Sequence, residues 1–293
     1  MRRRWWPGGE LWAETDVFWK RATLVVGVLV LVGMRAWVHL YPRIAGRDQP
    51  VEFWVTMAEG DSEVAESRGN LSEQDERIWR VAGKAAQEVV GAAQKKEHGG
   101  RTLKVGVTWQ RGKRGRGAPL GESRGGSVAV WASGDAVKDA FRAGHECGHA
   151  VASWRFGAGR LPLWTEEGLA QLSGFRAAEE FARTVQRSAV RKPPGDGPGW
   201  ASLGELVARR DYPSDTAEVA AFYWQSAALV RAIQARLGPA NFAEFLSGLA
   251  DGADWEALLR ERWWFADGDF RRLERQIAPD APPVAAEWAG WTL

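Results

Sequence analysis

Residues 145–149 read HECGH, inside the run DAVKDAFRAGHECGHAVASWRF at 135–156. Phe141, Ala143, Ala150, Val151 and Trp154 supply apolar surface around the motif, so the stretch is expected to be one helix. On a helix, His145 and His149 stand four apart, about 40° from each other, on one face. Two imidazoles so placed can reach a single zinc ion at about 2.0–2.1 Å. Glu146 is displaced enough to miss the metal and hold its water instead. Zinc brings the pKa of a bound water towards about 7, and a nearby carboxylate then suffices as the base. Two His make half a site, and a third protein ligand must come from elsewhere. A Gly and a His at the third and sixth positions after His149 would supply one, but these positions are Ala152 and Arg155. The other source is a Glu on the next helix, within PLWTEEGLA at 162–170, where Glu166 and Glu167 stand side by side.

The surrounding pattern sets the fold class. Val51–Val55 (VEFWV), Leu103–Trp109 (LKVGVTW) and Ser127–Ala132 (SVAVWA) read as strands, the last two as a hairpin with a long tip. That tip, 110–126, is Gly-rich and basic. Its cations Arg111, Lys113, Arg114 and Arg116 have no aromatic among them, so it reads as a solvated loop and not a phosphate grip. The stretch from 56 to Asn70 is polar. Ser72 opens a capping pattern, and Ile78, Val81, Ala82, Ala85, Val89 and Val90 recur at helical spacing up to His98. From Asp135 onward the pattern stays helical, over 135–156, 164–188, 202–210, 215–237, 239–250, 254–262 and 267–277. Strands first and helices afterwards describe an α+β domain.

Composition narrows the function. The chain has 293 residues, 45% hydrophobic and 26% charged, which excludes wholesale disorder and a polytopic membrane protein. Net charge is +2, from 39 basic and 37 acidic residues, with the excess in residues 1–47. The body therefore lacks the basic face of a nucleic-acid binder, and no nucleic-acid partner is expected. Cys147, the single cysteine, rules out an intrachain disulfide and reads as packing. The 18 Trp are read as compositional bias. His39 and His98 have no metal-like partners.

Ala22–Met34 (ATLVVGVLVLVGM) carries no charge, and extension to Tyr41 gives about 30 Å of helix, enough to cross a bilayer. Trp5, Trp6, Trp12 and Trp19 precede it, and Trp37 and Tyr41 close it, as interfacial aromatics would. Cations are denser before the segment than after it, which favours an extracytoplasmic body. The leading expectation is an uncleaved single-pass anchor in a cell membrane, with the membrane engaged through residues 22–41. A cleaved signal segment, giving a secreted protein, and a buried core helix are the other readings, and no A-x-A-like site stands in 36–46. The expected organisation is anchor 1–47, catalytic domain 48–279 and tail 280–293.

HExxH followed by the W-x-x-E-G-x-A of Trp164–Ala170 resembles the gluzincin zinc metallopeptidases, in particular the peptidase-MA-like families and, more distantly, the aminopeptidase N type. The resemblance covers about 127–275. It implies a zincin-like metallopeptidase domain with a small N-terminal sheet and a helical C-terminal part, here preceded by one transmembrane helix. It implies one zinc per chain held by His145, His149 and Glu167, with Glu146 as general base and a peptide or protein as substrate. The Tyr-x-Gln-Ser of Tyr223–Ser226 matches a later family segment and implies Tyr223 as a donor to the carbonyl oxygen, with Tyr212 as its rival. Two departures stand out. Seventeen residues separate His149 from Glu167 where the aminopeptidase N type usually has eighteen, which keeps Glu166 open as the ligand. The strand taken as equivalent to that family's amine-binding strand, SVAVWAS, has no acid, so cleavage within a chain is expected. A non-catalytic zinc-binding or interaction module on the same fold is the alternative. Gly144 and Gly148 are expected to admit a neighbouring strand close to the motif helix, and Gln171 to reach a zinc-bound His or face solvent.

Overall fold

Five strands build one sheet in the computed structural model, which describes residues 51–58, 61–68, 71–91, 103–110, 121–124, 127–186 and 200–278. The strands are β1 (Val51–Ala58), β2 (Asp61–Arg68), β3 (Leu103–Gln110), β4 (Gly121–Arg124) and β5 (Ser127–Trp131), in the order β2-β1-β3-β5-β4. Leu103, Val105, Val107 and Trp109 of β3 and Val128 and Val130 of β5 bury one face, the period-2 signature of a half-covered sheet.

Two expectations about this sheet are corrected. β3 and β5 are not a hairpin: they run parallel, Gly106 opposite Ser127 and Trp109 opposite Val130. The antiparallel partner of β5 is β4, which lies within the Gly-rich stretch and forms the edge. A parallel pair needs a crossover, and the residues between β3 and β5 make one by passing through β4 first. The polar stretch after β1 contains a strand, β2, paired antiparallel with β1. Its sequence, DSEVAESR, carries too few apolar residues to announce itself by hydrophobic alternation.

Helices follow. α1 (Glu73–Ala86) starts at a Ser72–Asp75 capping box, as the sequence indicates, and continues into a π-helical turn, Gln87–Gly91. The remaining helices are α2 (Ala136–Phe156), α3 (Leu163–Thr184), α4 (Leu203–Ala208), α5 (Thr216–Ala250), α6 (Trp255–Trp263) and α7 (Asp267–Ile277). The expected break between 237 and 239 is real: Gly238 leaves helical geometry at φ 76 and ψ 166, immediately before Pro239. The fold is thus mixed and helix-dominant, with α1 between β2 and β3 and the remaining helices after β5. The Trp content has a structural use beyond composition. Trp79 of α1 meets Trp109 of β3 edge-to-face, ring centroids 5.5 Å apart, and both are fully buried, as is Trp164 of α3.

The expectation of a single-pass cell-membrane protein is corrected: among the described residues no helix is long and apolar enough to cross a membrane. The longest, α5 with 35 residues, is interrupted at Gly238 and carries Arg231, Arg236 and Glu244, which a bilayer would penalise. Residues 22–41, the tip cations 111–116, His39, His98 and the tail 280–293 lie outside the described residues.

Candidate metal centre

α2 carries the motif under the β4–β5 edge of the sheet. Asp135 caps its start, accepting from the backbone N–H of Val137 at 3.0 Å. Its neighbour Asp139 accepts from Ser133 and Gly134, tying the end of β5 to the first turn of α2. The helix ends at Gly157, whose φ of 89 favours a residue without Cβ, and Gly159 at φ 67 helps complete the reversal. Pro162 then opens α3. His149 lies about two turns before the end of α2, and Glu167 just past the first turn of α3, so the reversal returns Glu167 beside His149.

The two helices approach closely because glycines face each other. A Cβ on Gly148 would stand 2.8 Å from Ala170 Cα and 2.9 Å from Ser173 Oγ. One on Gly144 would stand 2.6 Å from Ala177 Cβ, and one on Gly174 2.8 Å from the Phe141 carbonyl oxygen. The neighbour these glycines admit is therefore helix α3, not the strand expected from sequence.

The imidazoles converge. His145 Nε2 and His149 Nε2 are 3.1 Å apart, Glu167 Oε2 is 3.6 Å from His145 Nε2, and Glu167 Oε1 is 3.4 Å from His149 Nε2. One ligand atom from each of the three residues fits within 4.8 Å of the others, so the group can hold a metal ion. Two buried atoms support that reading: Glu167 Oε2 and His145 Nδ1 have no hydrogen-bond partner. A buried carboxylate oxygen left unpaired is costly unless a cation completes its surroundings. The N, N, O donor set is one that zinc takes. Glu166 touches the same His149 from the other side, its Oε1 3.5 Å from Nδ1, which orients the ring so that Nε2 faces the centre.

Electrostatics follow from this crowding. Burial, then the neighbouring His149, pushes His145 down to about 3 against the pull of Glu167. Burial also opposes charge on His149, but Glu167 and Glu166 outweigh it and hold His149 well above its ordinary value. Burial would raise Glu167, yet His149 and His145 keep it below the usual carboxylate range. These shifts favour a protonated His149 beside an ionised Glu167.

Glu146 lies one residue past His145 and is 7% exposed. Above it runs the edge strand: a Cβ on Gly121 of β4 would fall 2.2 Å from Glu146 Oε1. No motif reading singled out Gly121. Its only sequence signal was a place in a Gly-rich stretch, and contact with Glu146 depends on β4 being a strand.

Both candidate tyrosines reach the centre. Tyr223 of α5 places its ring 5.8 Å from that of His145, and burial followed by Glu167 and Glu146 raises its phenol, so it stays protonated. Tyr212, between α4 and α5, donates its hydroxyl to Glu167 Oε1. Burial, then the Glu167 charge and that hydrogen bond, likewise hold its proton in place. Tyr212 and Tyr223 stand edge-to-face at 6.3 Å.

Cys147 is fully buried, and burial followed by the Glu146 charge raises its thiol, consistent with packing. Gln171 is 2% exposed, so it is not a surface amide, and it leaves His145 Nδ1 without a partner. The strand 127–131, on which the missing-acid argument rested, is interior; the edge strand is β4, where Glu122 stands opposite Ala129.

Comparison with protein-family models, curated proteins and solved structures finds no match for this chain.

Proposed function

We propose that the chain is a zinc-dependent metallopeptidase of gluzincin type, with His145, His149 and Glu167 holding zinc. The observation that carries this reading is the convergence of both Nε2 atoms and the Glu167 carboxylate, with unpaired Glu167 Oε2 beside them. When bound, zinc polarises a carbonyl and lowers the pKa of water towards about 7. Glu146, adjacent in sequence and buried beneath Gly121, takes the proton from the attacking water and returns one to the leaving amine. Glu166 keeps the His149 ring in register through Nδ1. Tyr223, a neutral phenol beside His145, donates to the carbonyl oxygen as negative charge develops there.

The test is metal analysis together with turnover of a general protein substrate by the wild type and Glu146→Gln. The expected outcome is about one zinc per chain in both and activity only in the wild type. A chain that takes up zinc but turns over no peptide favours the non-catalytic module. Normal activity in Glu146→Gln overturns the mechanism. Paired peptides with free and blocked amino termini separate exopeptidase from endopeptidase action. That comparison is needed because an acid, Glu122, does stand on the edge strand.

A further inference from the structure

We infer that Tyr212 is the positioning residue of the centre: its hydroxyl engages Glu167 Oε1 and thereby leaves Oε2 as the oxygen offered to the metal. The inference rests on the metallopeptidase reading. Glu167 is 1% exposed and has two oxygens in different surroundings. Oε1 accepts the Tyr212 hydroxyl and lies nearest His149, whereas Oε2 faces His145 and has no hydrogen-bond partner. A carboxylate with one oxygen tied to a neutral donor has a defined rotation and presents its other oxygen. Single-oxygen ligation keeps one coordination position for water, as a catalytic zinc site requires. Tyr212 is suited to this because a phenol is a neutral hydrogen-bond donor near pH 7, so it donates to the carboxylate and does not repel it. Tyr212 is 52% exposed and its ring packs edge-on against Phe222 and Tyr223, so Phe at 212 would retain those contacts. Tyr212 thus acts through Glu167 and leaves Tyr223 to face the substrate.

Zinc affinity by competition with a chromophoric chelator, and the visible absorption of the cobalt-substituted protein, read this role without recourse to turnover. Tyr212→Phe should bind zinc about tenfold or more weakly, with a shifted cobalt spectrum, since removing an outer partner of a ligand typically costs 10–100-fold. Phe222→Leu alters the aromatic packing and keeps the phenol–carboxylate bond, so its affinity and spectrum should match the wild type. Wild-type affinity and spectrum in Tyr212→Phe overturn the inference and leave the metallopeptidase reading standing. Equal losses in both variants assign the effect to packing and also overturn it. A wild type that takes up no zinc overturns the metallopeptidase reading itself.

Discussion

Glu166 and Glu167 show how one residue of offset separates two jobs. Neighbours on a helix point about 100° apart, so both reach His149 but at different nitrogens: Glu167 at Nε2 and Glu166 at Nδ1. Glu167→Ala should therefore abolish zinc binding, because two ligands rarely hold zinc. Glu166→Ala should weaken it by about 10–100-fold, as loss of a ring-orienting partner does. Affinities measured side by side check the order, and a larger loss at Glu166 would reverse the assignment. Protonation adds a second test. His149 must lose its proton to offer Nε2, and Glu167 and Glu166 hold that proton well above the ordinary range. Below that raised pKa, zinc uptake should release a proton, and affinity should fall as pH falls. Zinc titration in weakly buffered solution, read with a pH indicator, reports it; uptake without proton release would show that His149 is already neutral.

At the scale of elements, the site depends on two close approaches. α2 and α3 meet through Gly144, Gly148 and Gly174, where an added Cβ has no room. Gly148→Ala should cost about 1–3 kcal/mol by overpacking, read as a lower denaturation midpoint, and should loosen zinc because it parts the helices that carry its ligands. The second approach is β4 over α2. Gly121→Ala would drive a Cβ into the Glu146 carboxyl, so we expect zinc content to hold while turnover falls by about 10²-fold or more, the usual weight of a general base. Loss of zinc in this variant would mean that β4 supports the ligand helix and not the base. Hydrophobic pattern revealed α1, α2, α3 and α5 because each has an apolar stripe against the sheet or a neighbouring helix. It missed β2 and β4, whose short polar sequences become strands only through the partners they pair with.

For the whole molecule, the proposed metal centre would link metal binding to folding. Carboxylate and imidazoles from α2 and α3 are brought together only in the folded chain, so zinc should stabilise it by mass action. Free zinc at about 100 times its Kd adds about 2.7 kcal/mol. A chelator should lower the Tm of the wild type and leave that of His149→Ala unmoved; an unchanged wild-type Tm would argue that no zinc binds. The anchor expected from residues 22–41 has no counterpart among the helices that the structure describes.

Sequence alone indicated the longer helices, three of the strands and the candidate ligands, with Glu166 and Glu167 both open. HExxH on a helix and a Glu pair at the start of the next are local spacings, set by 3.6 residues per turn, and need no tertiary information. The run of helices after β5 and the break at Gly238 were legible for the same reason. Tertiary structure alone decided that β3 and β5 run parallel, that β4 is the edge, that Gly121 abuts Glu146, and that Tyr212 binds Glu167. Each joins residues between 25 and 45 positions apart or depends on strand pairing. Pairing, register and close packing are properties of partners, and one partner's sequence does not contain them.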